Sequence, residues 1–151
     1  MKILAVSSAG GHFSELKMIT NNLSEQFDVT IITEDKGNRD SMVSYYMPYS
    51  NRSNKIKYLF AFCYNFILAF KYTYKTKPDV ILSTGAHTAF FYFVVGKIFF
   101  RTTNVYIESY AKVTEKSLTY KLSHKFIDKN VVQHKEMQTV EEKSYFFGGV
   151  Y

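Results

Sequence analysis

A histidine preceded by two glycines, in Ser7-Ser8-Ala9-Gly10-Gly11-His12, is the first place in this sequence where residue types and spacing could do chemistry. Lacking Cβ atoms, Gly10 and Gly11 tolerate φ > 0 and let a ligand approach the backbone. The N–H groups and positive dipole end of a helix that follows suit a phosphate or diphosphate. His12 sits at the mouth of that turn, where an imidazole can act as a base or donate to an anion. The same residues also make an ordinary tight connection, and they lack the spacing of GxGxxG or a P-loop. Two other polar turns carry reactive groups, Thr84-Gly85-Ala86-His87 and Glu108-Ser109. His87 is either a plain helix-opening residue or a ligand of the same cleft. Glu108 either caps or pairs with a lysine, or has a ligand-binding or catalytic role. Ser83, Thr84 and Ser109 read more readily as helix caps than as nucleophiles. No GxSxG elbow is present, which disfavours acyl transfer. Cys63 is the single cysteine and no Cys/His cluster occurs, so neither a disulfide, a metal nor a cofactor is expected. His124 and His134 lie on polar stretches and read as surface residues.

Strands and helices alternate around these turns. Short apolar or β-branched runs predict strands at 2–7, 28–33, 78–83, 104–108, 129–132 and 144–147. Helical spacing predicts helices from Phe13 to Leu23, over 55–75, over 88–100 and over 115–125 with Thr114 as cap, and 136–141 reads as a short helix or turn. Residues 34–40 read as a loop and 41–53 as irregular. Such alternation implies one α/β domain over 1–151, a doubly wound parallel sheet. In that fold ligands bind beyond the carboxyl ends of the strands, where all three polar turns fall.

Charge is unevenly placed. The chain carries a net +6, yet from Ser41 to Pro78 there is no Asp or Glu, while Arg52, Lys55, Lys57, Lys71, Lys75 and Lys77 lie there. The same window holds a long aromatic helix. Its apolar centre, Leu59 to Phe70, is too short to span a bilayer, which needs about 20 residues. Lys55, Lys57, Phe60, Phe66, Phe70 and Lys71 would meet an anionic membrane surface, making 52–77 a membrane-proximal segment. The competing reading is a helix packed on the sheet whose outer face meets a partner protein. Nucleic acid is not expected, because the lysines bracket an apolar helix rather than line a groove. One cysteine and no secretory h-region point to a reducing cytoplasm.

Taken in order, Ser7-Ser8-Ala9-Gly10-Gly11-His12, Ser83-Thr84-Gly85-Ala86, Tyr106-Ile107-Glu108-Ser109, Val132-Gln133 and Phe147-Gly148-Gly149-Val150-Tyr151 resemble the PssD/CpsF-type polysaccharide biosynthesis proteins. These are similar to the acceptor-side, membrane-anchoring subunit of the two-part N-acetylglucosaminyltransferase of N-glycan assembly. The resemblance covers essentially the full length. It implies the Rossmann-like, N-terminal half of a GT-B glycosyltransferase, with a separate C-terminal-half subunit presenting the UDP-sugar. By analogy with the similar one-chain enzyme MurG, Ser8, Gly10 and Gly11 would bind the diphosphate of an undecaprenyl-linked acceptor and His12 would be the candidate base, with Glu108 or the partner as the alternatives. Thr84, Gly85, His87 and Ser109 would line the cleft and Glu108 would face the reaction centre. The chain would work at the cytoplasmic face of the inner or plasma membrane, as a peripheral protein in capsule or exopolysaccharide synthesis. Tyr151 falls where the family's closing Gly-Gly strand ends, so a second Rossmann domain, on the order of 150 further residues, is not expected. The alternative function is a non-catalytic scaffold that recruits and activates the partner.

Overall fold

A computed structural model describes residues 1–49, 55–85, 87–140 and 144–151, with the backbone alone described at 55–59, 62, 139 and 140. Among the described residues, seven strands form one sheet in the order β3-β2-β1-β4-β5-β6-β7, every pairing parallel. The strands are β1 (Lys2–Val6), β2 (Asp28–Asp35), β3 (Tyr45–Pro48), β4 (Val80–Ser83), β5 (Thr103–Ile107), β6 (Lys129–Val132) and β7 (Ser144–Phe146). The helices are α1 (Gly11–Leu23), α2 (Lys55–Thr76), α3 (His87–Val95), α4 (Leu118–Ser123) and α5 (Glu136–Val140). The doubly wound parallel sheet expected from the alternation is therefore present. Strand order reverses beside β1, which places the switch point between β1 and β4.

Both faces of β1 are buried. Ile3 and Ala5 pack with Leu16 of α1, Ile31, Leu82 and Ile107 on one side. Leu4 and Val6 pack with Ile32, Ile81, Leu68 and Ala69 of α2, and Phe91, Tyr92 and Phe93 of α3 on the other. A strand buried on both faces needs apolar residues at every position, which is why β1 reads as an unbroken run. Asn104 fixes β5 to this second layer: its Nδ2 donates to Phe93 O (2.8 Å) and Phe126 O (2.7 Å), and its Oδ1 accepts from Thr102 Oγ1 (2.8 Å).

Several boundaries differ from the sequence reading. Tyr45-Tyr46-Met47-Pro48 was expected to be irregular and is edge strand β3. Proline, which cannot donate to a ladder, is tolerated at its last position. Glu34 and Asp35 extend β2 rather than opening a loop. α1 begins at Gly11, two residues before Phe13. The helix expected over 88–100 is α3 to Val95 and then π-helical over Gly96–Phe100, closing at Arg101 with φ 54. α4 starts at Leu118 and not at Glu115. Its cap is Ser117, whose Oγ accepts from Tyr120 N (3.1 Å), and not Thr114.

Candidate functional site

The turn after β1 leads straight into a helix whose N-terminus has no side-chain cap. Gly10, with φ 96 and ψ −142, is the cap residue, and no acidic residue stands in the first turn of α1. The first N–H groups of this helix thus keep their donor capacity, and its dipole presents a partial positive charge there. Lys36, in the loop after β2, adds a cation: its Nζ lies 3.9 Å from where a Cβ on Gly10 would stand, and over the ring of Tyr49 at 5.1 Å. Ser8 is half-buried beside these groups.

His12 is locked to the turn after β4 by a reciprocal pair. Its Nδ1 lies 2.9 Å from Thr84 O, and Thr84 Oγ1 donates to His12 O at 2.7 Å. A carbonyl oxygen only accepts, so Nδ1 carries the proton and the neutral ring's lone pair is on Nε2. Gly85 makes this contact possible. It has φ +116, and a Cβ there would come within 2.9 Å of His12 Cε1. Ser83 Oγ holds the turn from beneath, accepting from Gly85 N (3.1 Å) and donating to Gly85 O (3.2 Å). His87, expected in the same cleft, opens α3 and lies 3.8 Å from Glu34 Oε1 at the end of β2. The motif's Ala86 lies outside the described residues.

Glu108, just after β5, is 2% exposed and saturated with donors. Its Oε1 accepts from Tyr106 OH (3.0 Å) and Ser109 N (3.2 Å), and its Oε2 from Ser117 N (3.1 Å). Burial, reinforced by the Glu108 carboxylate, pushes the Tyr106 phenol well above its ordinary pKa, so it stays a donor. Gln133 Nε2 donates to Glu108 O (2.9 Å), while Gln133 Oε1 accepts from Val150 N (2.9 Å). Glu108 therefore pins α4 and the loop before it, and Gln133 ties the Gly-Gly segment to the same point. His134, expected on the surface, is half-buried: its Nε2 donates to Tyr110 O (2.6 Å) and its ring lies 4.6 Å from that of Tyr110. His124 is exposed, as expected.

Sequence reasoning assigned no role to Glu15. It is 5% exposed, and its Oε1 accepts from Ser109 Oγ (3.1 Å) and Tyr110 N (3.0 Å). The available signal was its spacing, three residues after His12 and so on the same helical face. Together, His12 reaching Thr84 and Glu15 reaching Ser109 make α1 the element that joins the three polar turns. The arrangement offers an uncapped helix N-terminus and a histidine of fixed tautomer, with buried carboxylates behind them.

α2 buries a stripe of Asn65, Leu68, Ala69 and Thr73 and leaves Phe60, Tyr64, Phe66, Ile67, Phe70 and Tyr74 exposed. The π-helical turn extends this apolar face with Ile98 and Phe99, the ring of Phe99 meeting Phe70 at 5.5 Å. Lys71 and Lys97 are exposed beside it. The side chains of Lys55 and Lys57, and Arg52 altogether, lie outside the described residues. No helix among the described residues is long and apolar enough to cross a membrane.

A family model described as oligosaccharide biosynthesis protein Alg14 like matches residues 49–150. Over 97 residues, 64% of the chain, it is 32% identical to the UDP-N-acetylglucosamine–N-acetylmuramyl-(pentapeptide) pyrophosphoryl-undecaprenol N-acetylglucosamine transferase of Wolbachia pipientis subsp. Culex pipiens (strain wPip), covering 28% of that protein. Among solved structures, MurG of Acinetobacter baumannii superposes with a TM-score of 0.73 at 13% identity, over 89% of this chain and 42% of that one. The UDP-GlcNAc 2-epimerase of Methanocaldococcus jannaschii gives 0.70 at 14%, over 98% and 45%. The chain thus spans less than half the length of these proteins, and the structural likenesses show a shared Rossmann-like fold.

Proposed function

Since the chain belongs to the Alg14-like family of oligosaccharide biosynthesis proteins, we propose that it is the acceptor-side subunit of a two-component glycosyltransferase. A separate nucleotide-sugar-binding subunit presents a UDP-sugar, and the sugar passes to a saccharide carried on a polyprenyl diphosphate, as in the capsule and exopolysaccharide systems of PssD/CpsF type. The observation that carries this reading is the Gly10-Gly11-His12 turn. It combines an uncapped helix N-terminus with a histidine whose Nδ1 is committed to Thr84 O.

In this mechanism the acceptor diphosphate lies over Ser8, Gly10 and Gly11, held by α1 N–H groups and by the Lys36 ammonium. His12 Nε2 takes the proton of the attacking hydroxyl as the bond to the anomeric carbon forms and the bond to UDP breaks. UDP leaves as an anion bound by the partner. Thr84 and Gly85 hold the imidazole, and Glu108 holds the wall of the cleft through Ser109 and Ser117 rather than touching the reacting atoms. His87 lines the β2 side. The exposed face of α2 with Ile98 and Phe99 seats the domain on the cytoplasmic leaflet as a peripheral protein, its flanking lysines meeting anionic headgroups.

The test is reconstitution. The purified chain, a candidate partner, a UDP-sugar and a polyprenyl-diphosphate-linked sugar in anionic vesicles give transfer only when both chains are present. His12→Ala lowers kcat at least a hundredfold with the complex intact, within the range of general base catalysis. Full activity of His12→Ala supports the scaffold reading instead. Full activity of this chain alone on a soluble acceptor refutes the two-component arrangement.

A further inference from the structure

Two buried carboxylates bracket Ser109. Glu108 accepts its backbone N–H and Glu15 accepts its hydroxyl. They differ in what capacity they have left. Both oxygens of Glu108 already take donors from the protein. Glu15 has both of its donors on Oε1, while its Oε2 is buried with no hydrogen-bond partner among the described residues. A carboxylate oxygen removed from water without a donor carries its full desolvation penalty, and native structures seldom keep such an atom without a reason.

Resting on the glycosyl-transfer reading above, we propose that Glu15 Oε2 binds a hydroxyl group of the acceptor saccharide. The chemistry of the oxygen selects the occupant. A diphosphate offers only acceptors and is repelled by a carboxylate, whereas a sugar hydroxyl donates and forms a charge-assisted bond. The position agrees. Four residues along α1 from Gly11 correspond to about 6 Å of axial rise, so Glu15 lies just beyond the Gly10-Gly11 end that receives the phosphate. On the same helical face His12 reaches the turn after β4 and Glu15 the turn after β5. Diphosphate at the helix tip and sugar hydroxyl one turn further in is the order in which the two groups are linked in the acceptor. Ser109 and Tyr110 cover Glu15, so their turn shifts as the hydroxyl enters, and acceptor binding is coupled to the placement of the loop that Glu108 pins.

The experiment compares Glu15→Gln with Glu15→Ala in the complete two-chain enzyme, with a polyprenyl-diphosphate-linked monosaccharide and its monodeoxy analogues as acceptors. Glutamine keeps a carbonyl oxygen for Ser109 and Tyr110 but presents an amide NH2 where Oε2 stood. Expected is a rise in acceptor KM of roughly tenfold to a hundredfold for both variants, with the donor KM unchanged. One monodeoxy acceptor should bind wild type and Glu15→Gln alike. If Glu15→Gln restores the wild-type acceptor KM while Glu15→Ala does not, Glu15 serves only the turn and the proposal is overturned. It is equally overturned if no deoxy position closes the gap. Failure of the wild-type pair to transfer to any polyprenyl-diphosphate saccharide refutes the underlying reading, whereas wild-type transfer with an unaffected Glu15→Gln refutes this inference alone.

Discussion

Replacing Gly85 with alanine probes the contact on which the histidine's placement depends. Gly85 has φ +116, where a residue with a Cβ is strained by about 1–3 kcal/mol. The new methyl group would stand 2.9 Å from His12 Cε1 and 3.1 Å from its Nδ1. The imidazole then moves, and its hydrogen bond to Thr84 O, worth about 0.5–1.5 kcal/mol, is lost or distorted. Together these amount to about 2–4 kcal/mol, a fall in Tm of roughly 4–16 °C for a domain of this size. On the proposed mechanism, a displacement of His12 near 1 Å lowers the transfer rate about a hundredfold. Urea denaturation measures the first effect, and single-turnover transfer by the reconstituted pair measures the second. A double-mutant cycle separates the causes. In a His12→Ala background the steric part disappears, so Gly85→Ala costs only its backbone strain and the two substitutions are less than additive. Strict additivity, or a Gly85→Ala enzyme of wild-type rate, would refute the reasoning.

Other expectations follow from the same geometry. Lys36→Ala raises the acceptor KM severalfold for a diphosphate-linked acceptor and does so less as salt increases, checked by steady-state kinetics at two ionic strengths. Tyr106→Phe leaves Glu108 Oε1 short of a donor and destabilises the fold by about 1–3 kcal/mol in urea titrations. Ile67→Glu with Phe99→Glu cuts sedimentation with anionic vesicles by tenfold or more, with the circular dichroism spectrum unchanged, because each buried apolar side chain is worth about 1.5–3 kcal/mol. Asp40 has its pKa lowered, first by the hydrogen bond from Lys17 and then by Met42 N. The stability it lends is present above its unfolded value of 3.8 and is lost as pH falls through the lower folded value. Asp40→Asn should therefore flatten the acid side of a stability–pH profile below about pH 4 and remove the difference between the two proteins at lower pH.

The architecture was legible because buried parallel strands read as short apolar runs with helices between them, and because that topology sends every strand end to one edge. β3 was not legible: four residues ending in proline carry no alternation, and only pairing with β2 makes them a strand. The start of α4 was misplaced for a similar reason. Thr114 and Ser117 are both good caps, and the choice is made by Glu108, nine residues away, which captures Ser117 N. The Gly-Gly-His turn was visible from its chemistry alone, and it lies outside residues 49–150, where the family model matches. Glu15 stayed hidden because glutamate in an amphipathic helix ordinarily faces water. It is buried only because the turn after β5 folds onto α1, a contact between residues 94 and 95 positions apart.

The sheet places its first strand in its interior, third of seven among the described residues. β1 pairs with β2 on one side and with β4 on the other, and Lys2 N reaches Asp79 across 77 positions. During synthesis, the aromatic helix α2 leaves the ribosome before α3 and the π-helical turn whose rings pack beside it. For that interval the nascent chain carries a greasy cylinder without its helical neighbours, and on the proposed function a nearby bilayer offers a surface on which it can wait. On the proposed function, a polypeptide ordered in this way gains from being translated close to the membrane. Slowing translation between codons 76 and 100 should then raise the insoluble fraction made in a membrane-free extract, and added vesicles should lower it again.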